Sequence, residues 1–190
     1  MNLLLHICCA PCAIKPIEEL RNIGHEVTGF WFNPSIHPYG EWKKRREALV
    51  ELSDNIDLPV IYDDYYDLVE NLRMLLSQPE FGKRCLLCYA DRMKRTAQRA
   101  AADGFDAFTT TLLYSKYQLH EQIRSIAERA AIESNTSFFY RDFRPLWGRG
   151  ITASKKMGLY RQRWCGCIFS EMEAEKDREK RARDRADRER

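Results

Sequence analysis

Short apolar runs alternate with helix-period segments along most of this chain, and that alternation constrains its fold more than any other feature. Leu3 to Ile7 is a brief apolar run interrupted only by His6, as in a strand buried on both faces. Ile14, Ile17, Leu20 and Ile23 then share one helical face, with Gly24 as the stop. Val27 to Phe32 reads as the next strand, and Asn33-Pro34 with His37-Pro38-Tyr39-Gly40 breaks the chain into a loop. A helix to about Asn55 and a strand from Leu58 to Tyr62 follow. Helices are expected over Tyr66–Leu76, Leu86–Ala102 and Leu119–Ile132, and strands over Ala107–Leu112 and Ser137–Tyr140. Strands alternating with helices predict an α/β fold: a mostly parallel sheet with helices on both faces. Residues 1–170 form one such domain on this reading. Glu171 to Arg190 holds eight acids and eight bases with almost no apolar face. Glu173/Lys176, Asp177/Arg181 and Asp184/Arg188 have the spacing of helical ion pairs, so residues 171–190 read as a charged, exposed helical tail.

The chemistry is concentrated in seven cysteines. They fall in three tight groups, Cys8/Cys9/Cys12, Cys85/Cys88 and Cys165/Cys167, which thiols used as small core residues have no reason to do. No window approaches the roughly 18 apolar residues of a membrane span. The segment MNLLLHICCAPC lacks the basic start and the longer apolar run of a secretory signal. A cytoplasmic protein with no membrane partner is therefore expected, in a compartment that keeps thiols reduced, so metal or redox chemistry is favoured over a disulfide scaffold. The first two groups fall where helices begin, and helix N-termini favour thiolates. Four thiolates from two such pairs suffice for zinc or an iron–sulfur cube. The ferredoxin spacing and the radical-SAM C-x3-C-x2-C triplet are both absent. Three readings stay open on spacing: a structural zinc on Cys9/Cys12 and Cys85/Cys88, a thioredoxin-type Cys9/Cys12 pair, and a cluster. Cys165-Gly166-Cys167 could close a small strained disulfide of the labile kind, or supply two further ligands.

The formal charge of +3 is unevenly spread. Residues 51–70 carry seven acids and no Lys or Arg, whereas residues 83–99 carry six bases. Residues 141–163 carry seven: Arg141, Arg144, Arg149, Lys155, Lys156, Arg161 and Arg163. Tyr140, Phe143, Trp147, Tyr160 and Trp164 interleave them. Bases among aromatic rings suit a polyanion with unstacked nucleobases.

Six blocks in order carry a family resemblance: CCAPC at 8–12, NPSIHPYGEW at 33–42, RCLLCYADRM at 84–93, TTTLLYSKYQ at 109–118, YRDFRP at 140–145 and LYRQRWCGCIFSE at 159–171. Together they resemble the cobalamin-independent epoxyqueuosine reductase QueH family over residues 2–171. The resemblance implies a HUP/Rossmann-like fold and reduction of epoxyqueuosine to queuosine at the wobble position of tRNA, a two-electron deoxygenation that releases water. It implies a [4Fe-4S] cluster on Cys8, Cys9, Cys85 and Cys88. An additional iron is implied beside it, with Cys12 as its ligand. Spacing alone prefers Cys9/Cys12 to the vicinal Cys8/Cys9. Cys165 and Cys167 are implied as a redox-active disulfide fed by an external electron donor. Asp91, His37, Tyr89 and Tyr114 lie in the matching blocks as candidate proton donors, and the seven bases of 141–163 as part of the tRNA face. The competing classes are a cluster-free thiol–disulfide oxidoreductase and a zinc-stabilised nucleic-acid-binding module.

Overall fold

The computed structural model describes residues 1–188. In chain order the elements are β1 (Asn2–His6), α1 (Ala10–Asn22), β2 (Glu26–Trp31), α2 (Tyr39–Asn55), β3 (Val60–Tyr62), α3 (Leu68–Leu76), α4 (Lys83–Ala102), β4 (Ala107–Thr110), α5 (His120–Glu133), α6 (Trp147–Lys156) and α7 (Ile168–Arg188). The four strands pair only in parallel, in the order β3-β2-β1-β4. Leu3, Leu4 and Leu5 have no exposed surface, as a central strand covered on both faces requires. Right-handed crossovers put α1 and α2 on one face and α3 and α4 on the other. α6 packs on α1, and α5 packs on α4.

β1 is the strand from which the chain departs in both directions, to β2 on one side and finally to β4 on the other. The ends of β1 and β4 therefore open the crevice where sites form in such sheets. His6 braces that end: its ring nitrogens lie 2.9 Å from Thr110 Oγ1 and 3.2 Å from the Phe32 carbonyl. Burial lowers its pKa to about 4, so the imidazole is neutral there.

Two expected elements differ. Ser137–Tyr140 contributes a single bridge, Phe108 to Phe138, in place of a fifth strand. The chain leaves the sheet edge at Tyr140, whose hydroxyl lies 3.1 Å from His120 Nε2. α6 was not signalled, because Gly148, Gly150 and Thr152 are poor helix formers. Tertiary contacts hold it: Tyr114 donates a hydrogen bond to the Trp147 carbonyl at 2.9 Å, and a β-carbon on Gly150 would fall on that hydroxyl. α7 begins at Ile168, and its residues 168–188 include none that is buried. Glu173 turns to Arg84 on α4 at 2.5 Å in place of the anticipated Lys176, and Arg178 pairs with Glu175.

Candidate active site

Cys8 and Cys9 follow β1 directly, Cys9 caps α1, and Cys12 lies in its first turn. This strand-to-helix turn folds the three sulfurs together, all within 4.8 Å of one another. Cys8 Sγ is 3.9 Å from Cys9 Sγ. Thr111, just beyond β4, accepts from the Cys8 N–H at 3.0 Å and donates to Cys8 Sγ at 3.2 Å. Both strands flanking the crevice thus define where Cys8 sits. Hydrogen bonds from Cys12, Cys9 and Thr111 hold the Cys8 thiol well below its ordinary value. Burial pushes Cys9 up, and the bond to Cys8 pushes Cys12 up. The vicinal and C-x2-C pairings converge here, since all three sulfurs meet at one point.

Cys85 and Cys88 lie in the first two turns of α4. Burial raises both, Cys88 to about 12. Cys165 and Cys167 stand as free thiols in the segment before α7. Gln162 ties the Cys165 segment to Cys9, and Gln118 ties Cys165 to Tyr89, next to Cys88 on α4; Arg92, on the same helix, is 2% exposed. Burial opposes its charge, and Cys88, Cys165 and Cys8 outweigh that opposition. Its Nε has no hydrogen-bond partner among the described residues. Thiol-rich, soft donors around a buried cation fit an anionic iron–sulfur group.

The four candidate proton donors fall in different settings. His37 is 2% exposed and its Nδ1 accepts from the Ile168 N–H at 3.4 Å, against the Cys165–Cys167 segment. Burial lowers its pKa, with Asn71 opposing. Tyr89 donates to Gln118 Oε1 at 2.6 Å, and Tyr114 is spent on the Trp147 carbonyl. Burial raises both hydroxyls. Asp91, raised by burial, has Arg92, Glu70, Arg95 and Lys94 as its charged neighbours rather than the thiols.

The basic residues divide similarly. Arg84 and Arg92, in the basic run of 83–99, are buried and so offer no surface to a polyanion. Arg141 is ion-paired with Glu19, and Arg144 with Asp142 at 2.7 Å. Arg149, Lys155, Lys156, Arg161 and Arg163 are exposed, with no ion pair among the described residues. Arg161 and Arg163 flank Gln162, whose Nε2 donates to Cys9 Sγ at 2.7 Å, so free cations rim the sulfur triad.

Gln162, Gln118, Arg45 and Thr111 were missed by sequence reasoning. Gln118 and Gln162 do lie inside the quoted blocks, but an amide carries no metal-ligand spacing. Arg45 reads as one more surface base on a charged helix. In the structure it is 2% exposed, and its guanidinium donates to the Cys165 carbonyl at 2.7 Å.

Comparison with known proteins bears on the whole arrangement. The family described as epoxyqueuosine reductase QueH matches residues 3–173. A protein of that name from Dehalococcoides mccartyi is 34% identical over 172 residues, covering 90% of this chain and 93% of the relative. One from Thermotoga maritima is 34% identical over 182 residues, covering 90% and 91%. A solved structure from Methanocaldococcus jannaschii, described as a predicted subunit of tRNA methyltransferase, shares the fold at a TM-score of 0.54 and 9% identity, covering 82% of this chain and 74% of that one. The match over residues 3–173 spans all three cysteine groups, and this chain belongs to the epoxyqueuosine reductase QueH family of oxidoreductases.

Proposed function

We propose that this chain reduces the epoxide of epoxyqueuosine in tRNA to the alkene of queuosine, with the Cys165/Cys167 pair as its two-electron relay. The observation that carries this reading is the Cys8/Cys9/Cys12 sulfur triad at the crevice end of the sheet, tied by Gln162 to the segment that bears Cys165 and Cys167. Cys8, Cys9, Cys85 and Cys88 would hold a [4Fe-4S] cluster and Cys12 an adjacent iron, which when bound supplies single electrons and a Lewis-acidic site for the epoxide oxygen.

The chain's own residues account for the rest. Deoxygenation consumes two electrons and two protons and yields one alkene and one water. Oxidation of the Cys165/Cys167 dithiol to its disulfide releases the same two electrons and two protons, so the balance closes. His37, Tyr89, Tyr114 and Asp91 then need only relay protons. The external donor restores the dithiol. The buried Arg92 guanidinium keeps negative charge tolerable among the thiols. Arg149, Lys155, Lys156, Arg161 and Arg163 offer phosphates a rim around the site, and the exposed Tyr117 ring offers a splayed base a stacking face.

The test is metal and acid-labile sulfide analysis of protein purified without oxygen, followed by nucleoside analysis after incubation with epoxyqueuosine-containing tRNA and a strong chemical reductant. Iron with sulfide and newly formed queuosine are expected. Zinc alone would instead support a nucleic-acid-binding module, and metal-free protein with a reversible Cys9/Cys12 disulfide would support a thiol–disulfide oxidoreductase. Reversing the charges of Lys155, Lys156 and Arg161 should weaken tRNA binding and flatten its salt dependence. Unchanged binding would remove them from the tRNA face.

A further inference from the structure

The two sulfurs of the Cys165–Gly166–Cys167 segment have unlike surroundings. Its backbone is held by a set of hydrogen bonds. His37 N–H and Trp164 Nε1 donate to the Gly166 carbonyl at 2.8 and 3.2 Å, and Gly166 N–H donates to Ser170 Oγ at 3.1 Å. Arg45 donates to the carbonyls of Cys165 at 2.7 Å and Trp164 at 3.3 Å. With the main chain so fixed, the side chains decide which sulfur meets an incoming thiol.

Cys165 is the more exposed residue of the two, although burial of its sulfur raises its thiol, and Cys167 is half-buried. Gln118 Nε2 donates to Cys165 Sγ at 3.2 Å. The orientation of that amide follows from its other end. Tyr89, 3% exposed, accepts from the Leu119 N–H at 3.4 Å and donates its own proton to Gln118 Oε1 at 2.6 Å. A carboxamide whose oxygen is so engaged presents its N–H groups to the sulfur. Cys167 lies instead two residues before Phe169, whose ring is covered by the Arg84 guanidinium. Arg84 is clamped by Glu173 at 2.5 Å and the Pro79 carbonyl at 2.8 Å, between the rings of Phe81 and Phe169.

We propose that Gln118, oriented by Tyr89, is the positioning residue that makes Cys165 the exchange sulfur for an external dithiol, with Cys167 as the inner sulfur that departs toward Arg84. The inference rests on the reading of Cys165/Cys167 as a redox pair. A thiolate of the reductant attacks Cys165 Sγ, and the Cys165–Cys167 bond breaks. Its electron pair leaves on Cys167 as a thiolate. The reductant's second thiolate then attacks its own partner sulfur in the mixed disulfide, and Cys165 leaves as a thiolate under the Gln118 N–H. The reductant ends as a disulfide, oxidised by two electrons, and its two protons pass to the two cysteines. Thiolate leaving groups are helped by donors and cations placed at the departing sulfur.

Two measurements on the anaerobic holoenzyme test this. In the first, the oxidised protein is treated with glutathione, quenched in acid, and the adduct mapped by fragmentation mass spectrometry. The adduct is expected on Cys165; an adduct on Cys167, or equally on both, overturns the proposal. In the second, the reduced protein is alkylated with iodoacetamide and rates are resolved by site. Gln118→Met should slow alkylation of Cys165 by roughly five-fold, the scale of one lost hydrogen bond, and Gln118→Glu by more, with Cys167 unchanged. A merely structural role for Gln118 would loosen the segment and speed both sites, so that pattern, or an unchanged Cys165 rate, also overturns it. Failure of the underlying redox reading looks different: Cys165→Ser and Cys167→Ser would both turn over normally with a dithiol reductant.

Discussion

Cys9 is 1% exposed at the cap of α1, beside the ends of β1 and β4, whereas Cys165 is exposed in a segment with no regular structure. The first environment is made by topology. A β1–α1 turn beside the end of β4 gathers three sulfurs and the Thr111 hydroxyl from chain positions about a hundred residues apart. The second is made by side chains reaching outward from the fold. Arg45 from α2, His37 from the loop before it, and Gln118 from the turn before α5 each hold the segment by hydrogen bonds. A site built into the sheet end can be closed and dry. A segment held by individual hydrogen bonds can stay accessible to a reductant without losing its position. This division suits a centre that must exclude water and a relay that must meet another molecule.

The largest effect expected is the separation of these two roles by serine substitution. Cys9→Ser should lose iron and all turnover with any reductant. Cys167→Ser should keep its iron and sulfide, lose turnover with a dithiol reductant, and retain it with a strong chemical reductant that bypasses the pair. Iron analysis beside the two assays decides the matter. Loss of iron in Cys167→Ser would make the outer pair part of the metal centre and break the comparison.

Next comes the anchor between the regions. Arg45 and Glu41 form a buried ion pair at 2.6 Å, with side chains 1% and 5% exposed, and Tyr160 donates to the other Glu41 oxygen at 2.5 Å. Removing Glu41 alone strands a buried guanidinium, so Glu41→Leu should cost about 3 kcal/mol in denaturant unfolding. The double variant Glu41→Leu/Arg45→Met removes both charges and should recover most of that stability. It also removes the donors to the Cys165 and Trp164 carbonyls, so turnover with a dithiol reductant should stay low. Recovery of both quantities together would show that the guanidinium matters to the segment only through global stability.

The different construction of the two regions also explains what could be read in advance. The parallel sheet was legible because Leu3–Ile7 and Val27–Phe32 are short, mostly apolar runs separated by a clean helical period. The three cysteine groups were legible because spacing within a helix start or a C-x-C segment is a local property. What tied the groups together was not. Arg84 and Arg92 read as surface charge, since a buried guanidinium and an exposed one are the same letter and only the tertiary packing around α4 tells them apart. Gln118 and Gln162 gain meaning only from sulfurs 47 and 153 residues away. The fifth strand failed for a related reason. Phe138 has a strand's composition, but Tyr140 is drawn off to His120 before a ladder can form.

The smallest effect concerns the glycine between the two outer sulfurs. Gly166 has φ +155°, and a β-carbon there would meet Ile36 Cγ1 at 3.2 Å and Arg45 Nη1 at 3.4 Å. Arg45 has little room to give, because its guanidinium is already bonded to Glu41 and to the Cys165 carbonyl. The strain of Gly166→Ala, about 1–3 kcal/mol, must therefore be relieved by movement of the segment itself. Such opening is local, so the unfolding midpoint should shift by only a few degrees while amide exchange across residues 164–168 accelerates. Iron content should be unchanged and turnover with a dithiol reductant reduced several-fold. If Gly166→Ala instead lowered iron content, strain in the outer segment would be reaching the sulfur triad, and the two regions would have to be treated as one mechanical unit.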